Sequence, residues 1–217
     1  MTDLTLVRGP GPQGSNRRLK ASSAVRLLVA MGMAVAIPLV VGLPAASATT
    51  PTCFGRHATI MGTAADERIE GTVGGDVIVG LGGQDIIDGL GGDDRICGNG
   101  GPDIINGGPG HDRMDGGARR DFVTGEDGND WLLGRRGDDV LNFGDSEDGA
   151  DLVVGGPGAD DLHAGVGADR LFGGPGEDRL AEGEVDAPIV DRFDGGSATD
   201  TCGPGAEDLV FSCELPI

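Results

Sequence analysis

The sequence predicts an all-β solenoid, and three observations predict it. A nine-residue unit, Gly-Gly-x-Gly-x-Asp-x-U-x with U a large apolar residue, recurs thirteen times between Gly62 and Ala181. Glycine supplies 43 of 217 residues and aromatics only 3%, so a conventional globular core is hard to build. The last three residues of each unit carry one apolar side chain between two outward neighbours, the alternation of a short strand. One core residue per unit can be buried only against its counterparts in neighbouring units, so the array is quasi-one-dimensional and its ends need caps.

Residues 1–48 read as a cleaved secretory signal peptide. Arg17, Arg18, Lys20 and Arg26 precede the apolar run Leu27 to Leu43, which Pro38 interrupts, and Ala46-Ser47-Ala48 is a small-x-small cleavage signal. The run is too short for a membrane span. The arginine pair leaves both the general and the twin-arginine export routes open. Cys53 follows Thr50-Pro51-Thr52, which is no lipobox, and no apolar segment follows the repeats. Residues 49–61 form an N-terminal cap segment, 62–181 the repeat array, 182–194 an irregular insertion, and 195–217 a degenerate repeat with a C-terminal cap. The four cysteines all lie after the cleavage site, which in an exported chain favours disulfides. Of the three pairings, Cys53–Cys97 with Cys202–Cys213 is preferred, because each bond staples one end of the array.

Along the array two residue classes stay in phase. The sixth-position acids are Glu67, Asp76, Asp85, Asp94, Asp103, Asp112, Asp121, Asp130 and Asp139, then, after a three-residue slip at Phe143-Gly144-Asp145, Asp151, Asp160, Asp169 and Asp178. The eighth positions run from Ile69 and Ile78 to Leu171 and Leu180 in step with them. The slip adds residues to one turn and leaves the strand phase intact. Glycine supplies the positive φ values that the turn, positions one to six, demands.

This nonapeptide is an established signature of calcium-binding solenoids, and on it the chain resembles the haemolysin-type calcium-binding (repeats-in-toxin, RTX) family. The resemblance implies a right-handed parallel β-roll in which two units make one coil, odd units building one sheet and even units the other. Same-side turns then lie 18 residues apart, and calcium sits between them on aspartate carboxylates and glycine carbonyls. The implied ligands are Asp76, Asp85, Asp94, Asp103, Asp112, Asp130, Asp139, Asp151, Asp160, Asp169 and Asp178. Calcium suits such a set because it takes six to eight hard oxygens in flexible geometry, whereas magnesium demands a strict octahedron. The three histidines lack ligand spacing for zinc. Aspartate also favours turns for its own sake, but that does not explain an acid at one position in every unit.

Two departures from the pattern bear on the calcium sites. Unit 1, GTAADERIE, lacks the central glycine and reads as part of the cap. Unit 7, GGARRDFVT, places Arg119 where glycine is expected, and Arg135 and Arg136 fall on the same edge one coil later. The expectation is a weak or absent calcium site at Asp121, with the arginines neutralising neighbouring acids. The alternative is that they lie away from the site and it survives.

The net charge of −20 becomes −24 once residues 1–48, with five positive charges and one negative, are removed. Such a chain repels nucleic acid and attracts cations. No HExxH or nucleophile-elbow motif occurs, and only 13 residues separate the signal peptide from the repeats, so no enzyme activity is expected. The leading reading is a secreted protein that folds on binding several calcium ions and serves a structural or surface-interaction role. The runner-up is a calcium-dependent adhesin or partner-binding module, its protein or cell-surface partner unspecified. That reading uses the outward seventh positions of odd units, where Ile86, Ile104, Phe122 and Val140 would stack into an apolar stripe. Ordinary β-propensity on a sheet face would also explain the stripe. Ice binding would need flat threonine arrays, and the outward residues are mixed.

Overall fold

The computed structural model of the chain describes residues 50–142, 148–181, 192–203 and 209–213. The expected signal peptide, the slip residues 143–145 and residues 182–191 of the expected insertion lie outside the described residues. Every element among the described residues is a strand, and residues 48–217 form one compact unit.

Two parallel sheets of eight and nine strands carry the fold. The odd units fill the first sheet, from Arg68–Thr72 to Thr201–Gly203, and the even units the second. The pairing register is the repeat itself: Ile69 lies beside Ile87, Ile87 beside Ile105, and Ile78 beside Ile96. Across the slip the step lengthens by three residues, so Leu132 pairs with Val153 and Leu141 with Leu162, and no side chain changes face. A one-residue error would have turned every core residue outward.

The eighth-position side chains, from Ile69 to Leu180, form one continuous buried cluster between the sheets, extended by Phe193 and Cys202. Phe193 corrects one boundary. Residues 182–194 were expected to be irregular throughout, but Arg192–Ser197 is a strand paired with Arg170–Pro175, and Phe193 is fully buried beside Leu171. A large apolar residue aligned with the core stripe is worth more buried than exposed, whatever precedes it.

The N-terminal cap does two things. Ile60–Met61 extends the nine-stranded sheet, with Ile60 against the first core layer. Before it, Thr52–Cys53 and Arg56–His57 form an antiparallel hairpin turning at Phe54 and Gly55, both in the left-handed region. The hairpin lies on the outer face of the nine-stranded sheet, where Cys53 is buried with Val77, Val79 and Cys97. Phe54 reaches Trp131, ring centroids 5.9 Å apart. Both preferred disulfides are present: Cys53–Cys97 pins the hairpin to the sheet, and Cys202–Cys213 ties the last core layer to the tail.

Candidate metal centre

The sixth-position aspartates form two buried ladders, one along each edge of the roll. Each carboxylate spans two coils. Asp94 Oδ1 accepts the Asp76 backbone N–H at 2.7 Å, Asp112 Oδ1 accepts that of Asp94 at 2.8 Å, and Asp130 Oδ1 that of Asp112 at 2.9 Å. The ladder continues through Asp151 to Asp169. The other edge runs Glu67, Asp85, Asp103, Asp121, Asp139, Asp160, Asp178 and Asp200 by the same bond. Every expected ligand residue therefore lies on one of the two ladders.

The second carboxylate oxygen is the informative one. Oδ2 of Asp85, Asp94, Asp103, Asp112, Asp121, Asp130, Asp139, Asp160, Asp178 and Asp200 is buried and accepts no hydrogen bond. A buried carboxylate oxygen without a donor is costly and calls for a cation or a proton. Asp76 differs: the Thr72 backbone N–H and hydroxyl both donate to its Oδ2 at 2.8 Å, closing that position from within the protein. Glu67 turns back on its own coil instead, accepting the Thr63 N–H at 2.6 Å, as a cap residue would.

Glycine makes room for these oxygens. A Cβ on first-position Gly98 would lie 2.5 Å from Asp103 Oδ2 and 2.7 Å from the Gly116 carbonyl oxygen. At the fourth position a Cβ on Gly110 would overlap the Gly92 carbonyl oxygen and lie 3.3 Å from Asp112 Oδ1. The turns are cradles of hard oxygens that any larger residue would fill. Arg119 takes the fourth position in unit 7 at φ 87°, and its N–H still donates to the Arg136 carbonyl at 2.7 Å. The backbone of that turn is thus preserved at the cost of strain. Arg135 does neutralise a neighbouring acid, with Nε and Nη2 both donating to Asp115 Oδ2 at 2.9 and 2.7 Å.

Electrostatics agree with the orphan oxygens. Burial pushes the Asp112 carboxyl up to about 7; the Asp94 N–H partly offsets this, and repulsion from Asp94 adds to it. Asp94 is raised to about 6, Asp130 to about 7 and Asp121 to about 8, burial being the leading cause in each. Asp85, Asp103 and Asp178 move the same way. Burial raises Asp139 to about 6, with the Asp121 N–H partly offsetting it; repulsion from Asp138 adds to the shift and the nearby Arg120 charge works against it. Among the described residues no three His, Cys, Asp or Glu side chains converge into a metal cluster. One acid per turn forbids it: side chains supply one or two oxygens per site, and backbone carbonyls must supply the rest. That chemistry fits calcium, which accepts carbonyls, and not zinc.

A model of four RTX calcium-binding nonapeptide repeats matches residues 61–96, 88–118, 106–141, 115–148 and 145–180, together more than half of the chain. The chain belongs to that family. The RTX repeats bind calcium and build a β-roll, so calcium binding and a structural role follow for this protein. Repeats of this kind are in general not catalytic. No curated protein matches the chain.

Asp121 and Asp200 are the ladder aspartates absent from the expected ligand set. Asp121 was set apart because of Arg119, yet its Oδ1 and Oδ2 sit as those of Asp103 do. Asp200 was legible in principle: Gly195-Gly196 and Cys202 place it at the sixth position.

Proposed function

We propose that the chain is an exported, non-catalytic calcium-binding protein whose roll forms when the ions bind. The buried, unpartnered Oδ2 ladder carries this reading. Stacking the ionised carboxylates along each edge without a counter-ion is unfavourable, and one core residue per nine gives little to set against it. Calcium supplies the positive charge and the demand for many oxygens that this arrangement lacks. The ligands proposed are the expected aspartates other than Asp76, together with Asp121 and Asp200, each joined by turn carbonyls. Binding free energy is then part of folding free energy. Affinities belong in the range of extracellular modules, about 0.1–1 mM. Export rests on the signal-peptide features of residues 1–48 and on the two disulfides. Among the described residues no helix is long and apolar enough to cross a membrane.

The test is isothermal titration of the mature chain with calcium and with magnesium. Several calcium equivalents taken up with proton release support the reading. Uptake of none, or equal uptake of magnesium, refutes it. A second reading, a calcium-dependent partner-binding module, draws support from Ile86, Ile104 and Phe122, which are 42–44% exposed on neighbouring strands of the eight-stranded sheet.

A further inference from the structure

We propose that the apolar stripe of the eight-stranded sheet is a self-association surface, joining two copies of the roll face to face and antiparallel. This deepens the partner-binding reading by naming the occupant, and it requires the folded roll. In register along the sheet the outward row reads Arg68, Ile86, Ile104, Phe122, Val140, Asp161. The row is complementary to its own reversal. A two-fold axis parallel to the strands, between Ile104 and Phe122, puts Ile104 against Phe122 of the other copy, Ile86 against Val140, and Arg68 against Asp161.

The ninth-position row obeys the same operation. Glu70 meets the His163 imidazole, Asp88 meets Asn142, and Asn106 meets Thr124, so no like charges face each other. Arg68 already bonds Glu70, and Asp161 already contacts His163, so each end of the interface would join two local pairs into one alternating network. Neighbouring registers fail. Moving the axis onto Phe122 sets Arg68 against Arg179, and moving it onto Ile104 sets Arg68 against Val140. A closed two-fold contact of this kind uses the same patch on both copies. Among the described residues of the opposite sheet, the cap hairpin covers the first coils, Arg113 lies over Trp131, and Arg170 and Arg192 lie over Phe172.

The footprint is roughly 25 Å by 10 Å per copy, from strand spacing and strand length. That is about 500 Å² in all, below the roughly 1,000 Å² that a stable interface clears, so the dimer is weak and transient, with Kd on the order of 100 µM.

The experiment is sedimentation equilibrium of Thr49–Ile217 in saturating calcium from 10 to 800 µM, with circular dichroism on the same samples. A calcium-induced strand spectrum with a monomer–dimer equilibrium is expected. Ile104→Lys should raise the dimer Kd at least about tenfold with an unchanged spectrum, since it places charge at the centre of an apolar contact. Arg68→Asp and Asp161→Arg should each raise it about three- to fivefold, and the double reversal should restore it. A chain with the strand spectrum that stays monomeric at 800 µM overturns the proposal and leaves the calcium reading intact. So does a dimer indifferent to Ile104→Lys, which must use another surface. A chain with no strand spectrum even in saturating calcium refutes folding on calcium and, with it, a dimer that depends on the folded roll, whereas a strand spectrum already complete without calcium refutes only folding on calcium and leaves the dimer to the sedimentation result.

Discussion

The two edges of the roll share one inner architecture and differ in what surrounds it. On both, an aspartate bridges each pair of coils and leaves Oδ2 buried. On the even-unit edge further acids crowd the ladder: Asp93 adds repulsion at Asp94 and Asp112, and Asp127 adds it at Asp130. On the odd-unit edge acids crowd as well, Asp115 at Asp121 and Asp138 at Asp139, but the middle coils also carry Arg119, Arg120 and Arg136 on the surface, and the Arg120 charge opposes the shift of Asp139, though less strongly than Asp138 raises it. The inner ladder depends only on backbone N–H groups and one carboxylate per unit, so it tolerates this difference. Cation affinity depends on the local field, so it should not. The even edge is expected to hold calcium more tightly than the middle of the odd edge.

The harshest way to break the comparison is to fill a cradle. Gly110→Ala, on the even edge, sets a Cβ into the Gly92 carbonyl and should cost more than about 3 kcal/mol in calcium-saturated thermal or urea unfolding. Removing ligands comes next. Asp112→Ala deletes the acceptor for the Asp94 N–H together with an ion ligand, and should cost about 2–3 kcal/mol in saturating calcium. Asp121→Ala removes the same bond to Asp103 and should cost about half as much, because less ion binding is lost with it. Equal costs, and equal shifts in the calcium midpoint, would mean that the arginines do not weaken the odd edge.

A smaller effect should appear with pH. Burial raises the folded-state carboxyls above their unfolded range, to about 6 at Asp94, 7 at Asp112 and 8 at Asp121. Without calcium, the stability this lends is fully present below the unfolded carboxylate range, near pH 4, and is lost as pH rises through 6 to 8. An EDTA-treated chain should therefore gain strand signal on acidification to about pH 4. Calcium reverses the sign, because it competes with those protons: its midpoint should rise to higher concentration as pH falls from 8 to 5. The mildest change is Arg119→Gly, which relieves a positive φ and removes a charge. A gain of about 1 kcal/mol is expected, with tighter calcium binding. A loss of stability would show the arginine side chain to be supporting its turn.

The sheets, the alternation of units between them and the slip could be read from the sequence because one period governs them all, while the disulfide pairing was preferred because each bond staples one end of the array. Once Ile69 and Ile87 are one coil apart, every other core residue is placed. The hairpin of residues 52–57 could not be read, since it obeys no repeat. Its trace lay elsewhere: Val77 and Val79, apolar at both outward positions of one unit, signalled that something covers them. Phe193 was hidden because the glycines that mark other units are missing before it, although Asp191 keeps the acid's place two residues ahead. The site was legible as a row of acids but not in its key detail. Only the folded ladder shows one oxygen of a carboxylate such as Asp112 or Asp200 spent on a backbone N–H 18 or 22 residues away and the other left buried without a donor.

The most direct test of the account is a calcium titration of Thr49–Ile217 at neutral pH, followed by far-ultraviolet circular dichroism, with magnesium as the control. A cooperative change from a coil-like to a strand spectrum in the 0.1–1 mM range, roughly that of extracellular calcium modules, with calcium alone, is the predicted result. A strand spectrum already complete in EDTA and unmoved by calcium would contradict it, for the buried aspartates would then be turn formers that the core and disulfides can hold unaided.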